Sequence, residues 1–128
     1  MKTAKELFER AIAEALRLPQ VETERKGSHV ALKVGSKIFA YLVNDHHGDG
    51  IVGLCCKAFP GERESLLAVD PRRFYSVAYT QKSWIGLRLD VGRVSWREVR
   101  ELLEGSYRLT AGKRQIAMLD AKSTMRSK

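Results

Sequence analysis

The chain has 128 residues, 44% of them hydrophobic and 30% charged, and a formal net charge of +8. That length suits one domain with one core, and the composition excludes wholesale disorder and any apolar run long enough to cross a bilayer, so no membrane partner is expected. The start at Met1-Lys2 lacks the apolar stretch of a secretory leader, and Cys55 and Cys56 are chain neighbours pointing to opposite faces, unable to form a structural disulfide. Reduced thiols and a cytoplasmic location follow as expectations.

From Thr3 to Leu18 the residues Leu7, Phe8, Ala11, Ile12, Ala15 and Leu16 recur at the spacing of one helical face. Thr3 and Glu6 are placed as a capping box, and Pro19 ends the helix. His29 to Val34 and Lys37 to Val43 alternate around Gly35-Ser36, which predicts a two-residue hairpin. Pairing across that turn sets Val34 opposite Lys37, Leu32 opposite Phe39 and Val30 opposite Tyr41. The other face, with Ile38, Ala40 and Leu42, is apolar enough to predict cover on that side too.

The turn-rich stretch Asn44 to Gly50 leads into a third strand, Ile51 to Lys57. Glu62 to Val69 reads as a short helix with acidic residues in its first turn, stopped by Asp70-Pro71. Two more strands are predicted, Phe74 to Tyr79 and Lys82 to Leu89, the latter with Ile85, Leu87 and Leu89 opposed to Trp84, Gly86 and Arg88. Ser95 and Glu98 form a second capping box, followed by Val99, Leu102 and Leu103 up to a stop or bend at Gly105. A last helix is predicted from about Ser106 to Asp120. The expected organisation is a single α+β domain over residues 1–120, two-layered, with an antiparallel sheet of about five strands packed by N-terminal and C-terminal helices, and a frayed basic tail at 121–128.

Several strings in this order resemble the MmcQ/YjbR-like family: Leu18-Pro19-Gln20-Val21-Glu22, Val34-Gly35-Ser36-Lys37-Ile38-Phe39, and Asp70-Pro71-Arg72-Arg73-Phe74-Tyr75. Ser83-Trp84-Ile85, Val94-Ser95-Trp96-Arg97-Glu98-Val99 and Ser106-Tyr107-Arg108-Leu109 with Lys113-Arg114 extend the likeness over nearly the whole chain. The resemblance implies a compact two-layer fold similar to that of bacterial secretion chaperones, no catalysis, and DNA binding through a double-wing motif. Thr80-Gln81-Lys82-Ser83 replaces a more glycine-rich loop of the family.

Polyanion binding needs cations spaced to meet successive phosphates, with an aromatic nearby where unpaired bases stack. The candidates are Lys33 and Lys37 beside the hairpin turn, Arg72 and Arg73 before the fourth strand, Lys82 and Arg88 around Trp84, and Lys113 with Arg114. Residues 1–92 carry 14 basic and 11 acidic side chains and residues 93–128 carry 9 and 4, so the excess positive charge is concentrated towards the carboxyl end. Asp45-His46-His47-Gly48-Asp49 has ligand-type side chains, but adjacent histidines on a short turn diverge, so no metal is expected. Cys55 and Cys56 lie in an apolar strand and read as packing residues. With no phosphate-cradling loop, nucleophile elbow or dinucleotide fingerprint, neither an enzyme nor a cofactor is expected. Two functions remain: sequence-tolerant binding of DNA by a monomer, and a protein-interaction or chaperone-like role for the apolar sheet face.

Overall fold

In the computed structural model, residues 3–45, 48, 50–77 and 83–126 are described, with the backbone alone over 123–126. Helix α1 (Ala4–Ala15) is capped by Thr3, whose Oγ1 accepts from the Glu6 amide at 3.1 Å while Glu6 Oε1 accepts from the Thr3 amide at 3.1 Å. This is the capping box read from the sequence. The helix stops short of Leu18, and the amide of Leu18 turns back to the Ala15 carbonyl at 3.0 Å.

The sheet has six strands in place of about five. They are β1 (Val21–Lys26), β2 (His29–Val34), β3 (Lys37–Asn44), β4 (Val52–Lys57), β5 (Phe74–Ser76) and β6 (Trp84–Arg88), ordered β1-β2-β3-β4-β6-β5 with every pair antiparallel. The strand absent from the sequence reading is β1. It is an edge strand with no fully buried residue, so charge masks its alternation.

Gly35 and Ser36 both have positive φ, 56° and 69°, the backbone of a tight hairpin turn whose twist suits the strands. The expected register holds only next to that turn. Val34 faces Lys37 and Lys33 faces Ile38, but Leu32 faces Ala40 and Val30 faces Leu42, because Phe39 bulges out of β3. Phe39 stays on the face of Val30, Leu32 and Val34, while the bulge moves Ala40 and Leu42 onto that face and turns Tyr41 and Val43 to the other. The face assignment expected for Ala40, Tyr41 and Leu42 is therefore reversed.

The four helices among the described residues pack on the inner face. Besides α1 they are α2 (Glu62–Val69), α3 (Trp96–Thr110) and α4 (Lys113–Arg126). Leu7, Phe8 and Ala11 of α1, Leu66 and Leu67 of α2, Val99, Leu103 and Tyr107 of α3 and Leu119 of α4 join the strand residues in one apolar cluster. The Phe39 and Tyr107 rings meet edge to face at 5.7 Å. The outer face has its own small cluster, Val43, Cys55 and Val77, against which Tyr41, Tyr75 and Trp84 pack.

Gly105 does not end a helix. Helix α3 continues through it to Thr110, and the missing Cβ admits the Phe59 ring, which would lie 3.2 Å from such a Cβ. The break falls at Ala111-Gly112, and α4 runs past Asp120 to Arg126. The second capping box is half formed: Ser95 Oγ accepts from the Glu98 amide at 3.3 Å, while the Glu98 carboxylate turns to Arg73.

Candidate nucleic-acid interface

The antiparallel register brings the end of β2, the start of β3, the end of β4 and the start of β6 to one end of the sheet. Helix α3 finishes there as well. Its buried Ser106 accepts a hydrogen bond from the Lys57 amide at 2.9 Å, and its Leu109 shares a cleft with Lys57 and Ser83. The first turn of α4 then docks against the hairpin through Gln115. The Gln115 amide nitrogen donates to Gln20 Oε1 at 3.2 Å and lies 3.7 Å from where a Gly35 Cβ would stand, and its oxygen accepts from the Gly112 amide at 3.0 Å. Tyr107 supports the same junction, its hydroxyl donating to the Pro19 carbonyl at 2.7 Å.

Three of the expected contact residues meet at this end: Lys37, Lys113 and Arg114. Each is exposed, and none makes an ion pair among the described residues. Lys113 and Arg114 stand in the first turn of α4, which holds no acidic residue. Cations at the positive end of a helix dipole repel it, a placement that an incoming anion relieves.

Of the other expected residues, none that is described adds a free cation at this end. Lys33 is half-buried on the outer face and its Nζ is 3.1 Å from Glu24 Oε2. Arg73 is held by Asp70 Oδ2 and Glu98 Oε1, each at 2.5 Å, which ties the turn before β5 to the start of α3. Those carboxylates raise the Arg73 guanidinium further above its ordinary value, and Arg73 in turn holds the Asp70 carboxyl below the usual carboxylate range. Arg88 is bound in bidentate fashion by Asp90, at 3.1 Å to both oxygens. Arg72 is exposed, but it precedes Phe74, which lies in the row Phe74–Leu87–Leu54–Leu42–Val30 towards the opposite end of the sheet. The Trp84 ring is half-buried on the outer face, 5.8 Å from that of Tyr41, and its carbonyl accepts from Arg63 Nε at 3.1 Å. Lys82 lies outside the described residues. The nine residues therefore do not form one track; Lys37, Lys113 and Arg114 share one end of the sheet.

Sequence reading missed Lys57 and Phe59, which sit at the same end. They line an open cleft of about 480 Å³ together with Pro60, Arg63, Glu64, Ser83 and Leu109. Lys57 stands beside Trp84 in the ladder and makes no ion pair among the described residues. The available signal was Phe59 itself, an aromatic side chain directly before the Pro60-Gly61 turn, where burial on both sides is not available.

Among the described residues no group of three His, Cys, Asp or Glu side chains could hold a metal ion, while His46, His47 and Asp49 lie outside them. Cys55 and Cys56 form no disulfide and are both buried, on opposite faces of β4. Burial pushes the Cys56 thiol well above its ordinary value, reinforced by Cys55 and Glu62, so it is no thiolate at neutral pH. No helix among the described residues is long and apolar enough to cross a membrane.

An open antiparallel sheet with four helices on one face, in this strand order, defines an α+β domain of a recognisable kind. The YjbR family model matches residues 16–109, and the chain belongs to that family. Among solved structures it is similar to a Deinococcus radiodurans protein, DR2400, described by the domain name DUF419, with 24% identity and a TM-score of 0.67 over 85% of this chain and 81% of that one. A Pseudomonas syringae protein is similar at 16% identity, with a TM-score of 0.61 over 79% of this chain and 96% of that one. These likenesses show the fold. A search of the curated proteins found no match.

Proposed function

We propose that this protein binds DNA through backbone phosphates, without catalysis and with little sequence preference, in the cytoplasm where Cys55 and Cys56 stay reduced. The observation that carries the reading is that Lys37, Lys113 and Arg114, all exposed and without an ion pair among the described residues, lie at the end of the sheet where Gln115 joins α4 to the hairpin. Cations held on a hairpin start and a helix start have the rigidity that phosphate contacts need, and they bring no base-edge readout. The family likeness and the net charge of +8 support the same reading.

Fluorescence anisotropy with a labelled duplex, between low and physiological salt, tests it. Affinity is expected to fall log-linearly with salt, and replacing Lys37, Lys113 and Arg114 together by alanine is expected to lower the slope by about 0.9 for each phosphate no longer neutralised. Absence of binding at low salt removes the proposal. A second reading, docking of a protein on the outer sheet face, is favoured by the half-exposed Tyr41 and Trp84 over the Val43–Cys55 cluster. It predicts an interaction that salt leaves nearly unchanged.

A further inference from the structure

Five large apolar side chains are well exposed among the described residues, and Phe59, at 43%, is the aromatic one. Its position is fixed on two sides. The ring edge rests on the backbone of α3 at Gly105, and the Phe59 amide donates to Glu62 Oε1 at 3.0 Å. Leu109, 40% exposed and one turn beyond Gly105 on α3, lines the same cleft, so the opening has two apolar side chains beside the same helix. An aromatic ring already immobilised and left half in solvent loses little freedom when a flat partner lies against it.

The charge around the cleft says which flat partner. Lys57 on its rim makes no ion pair among the described residues, and Glu64 is the carboxylate that lines the cleft. Arg63 is turned inward, its Nε on the Trp84 carbonyl and its Nη2 on Ser76 Oγ at 2.8 Å, with Nη1 3.5 Å from Glu64. The cleft opens at the end of the sheet where Lys37, Lys113 and Arg114 gather, and Leu109 is separated from Lys113 only by the short break between α3 and α4. An apolar slot of this kind beside several free cations suits an unpaired base whose own backbone phosphates lie on those cations. A paired base has its faces occupied by its neighbours in the stack and cannot enter.

We infer that the Phe59–Leu109 cleft receives an unpaired base, so that the protein prefers single-stranded over duplex nucleic acid. This rests on the phosphate-binding reading above and adds the strand state to it. Base stacking on an aromatic side chain contributes enough for about a tenfold change in affinity per base.

The test crosses the protein with its ligand: the full chain and Phe59→Ala, each titrated into labelled oligothymidylate, an abasic strand of equal length, and a duplex. The parent protein is expected to bind oligothymidylate about tenfold more tightly than either other probe. Phe59→Ala is expected to lose that factor on oligothymidylate alone, and Phe59→Trp to keep it. Thermal unfolding of both variants shows whether the fold persists; if Phe59→Ala unfolds, the parent's ratio of oligothymidylate to abasic strand decides. Equal affinity for the three probes, or an equal loss on all three in Phe59→Ala, overturns the inference and leaves the phosphate-binding reading standing. Binding to none of them overturns both, and leaves the cleft to an apolar side chain of a protein partner.

Discussion

The hydroxyl of Ser106, buried in the middle of α3, donates to the carbonyl oxygen of Phe39, the residue that bulges out of β3. The same hydroxyl oxygen accepts from the Lys57 amide at 2.9 Å. A bulge leaves ladder groups without strand partners, and here one helix side chain satisfies groups from two neighbouring strands. Ser106→Ala keeps the volume nearly constant but strands a buried carbonyl and an amide. It is expected to destabilise the protein by about 2–3 kcal/mol, read from urea unfolding. A change below about 0.5 kcal/mol, the scale of an ordinary surface substitution, contradicts this account of the bulge.

That bond also shows why the sheet was only partly legible from the sequence. Helix α2 has the bounds that its flanking turns imply, and the Thr3–Glu6 box forms, because both depend on neighbours within a few residues. The Phe39 bulge depends on Ser106, far along the chain, and no local pattern announces it. One extra residue then reverses the face of Tyr41 and Leu42. The candidate site divides in the same way. Lys113 and Arg114 are conspicuous as a basic pair, but whether a cation is free is a tertiary fact. Arg73 finds Glu98 on α3, and Lys57 and Phe59 acquire a role only once α3 lies beside β4, whereas Arg88 pairs locally with Asp90 two residues on.

Tyr75 lies across Gly53 and Gly86 on the outer face: a Cβ on Gly86 would come within 2.3 Å of the ring and one on Gly53 within 2.4 Å of its oxygen. The two glycines are there to admit the ring, since β-strands otherwise disfavour them. Gly86→Ala should force the half-buried ring to swing off the sheet at a cost of about 1–3 kcal/mol. In the background of Tyr75→Ala the same change should cost little. Chemical denaturation of the two single variants and the double closes the cycle, and strict additivity would remove the ring from the explanation.

Glu14 is a buried carboxylate, 4% exposed, that accepts from Arg100 Nε at 2.9 Å, Arg10 Nε at 3.1 Å and Arg17 Nη1 at 3.3 Å. The Arg100 bond, with help from Arg10 and Arg17, holds the carboxyl below its ordinary value of 4.5 despite the opposing effect of burial. A carboxyl depressed in the folded state contributes stability that is present above the unfolded value and lost as pH falls through the folded one. Unfolding free energy should therefore decline on acidification below about pH 4.5, and Glu14→Gln should flatten that part of the profile. At neutral pH Glu14→Gln should destabilise by about 2 kcal/mol, less than for a fully buried pair because the arginines remain near half exposed. Thermal unfolding followed from neutral to acid pH measures both, and a variant whose acid limb matches the parent's would assign the pH dependence elsewhere.

Arg73 separates binding from folding in the proposed phosphate contact. With both carboxylates of Asp70 and Glu98 on it, its charge is already neutralised, whereas Lys113 and Arg114 meet no acidic group among the described residues. Arg73→Ala should leave the salt slope of DNA binding unchanged while lowering stability by about 2 kcal/mol, since it frees α3 from the turn before β5. Lys113→Ala with Arg114→Ala should do the reverse, lowering the slope by about 1.8 while leaving the unfolding midpoint level or slightly raised as repulsion from the helix dipole disappears. Anisotropy and urea unfolding on the same three preparations read both quantities. If Arg73→Ala weakens binding with the larger loss of slope, phosphates are met at the Asp70–Glu98 corner instead of the hairpin end.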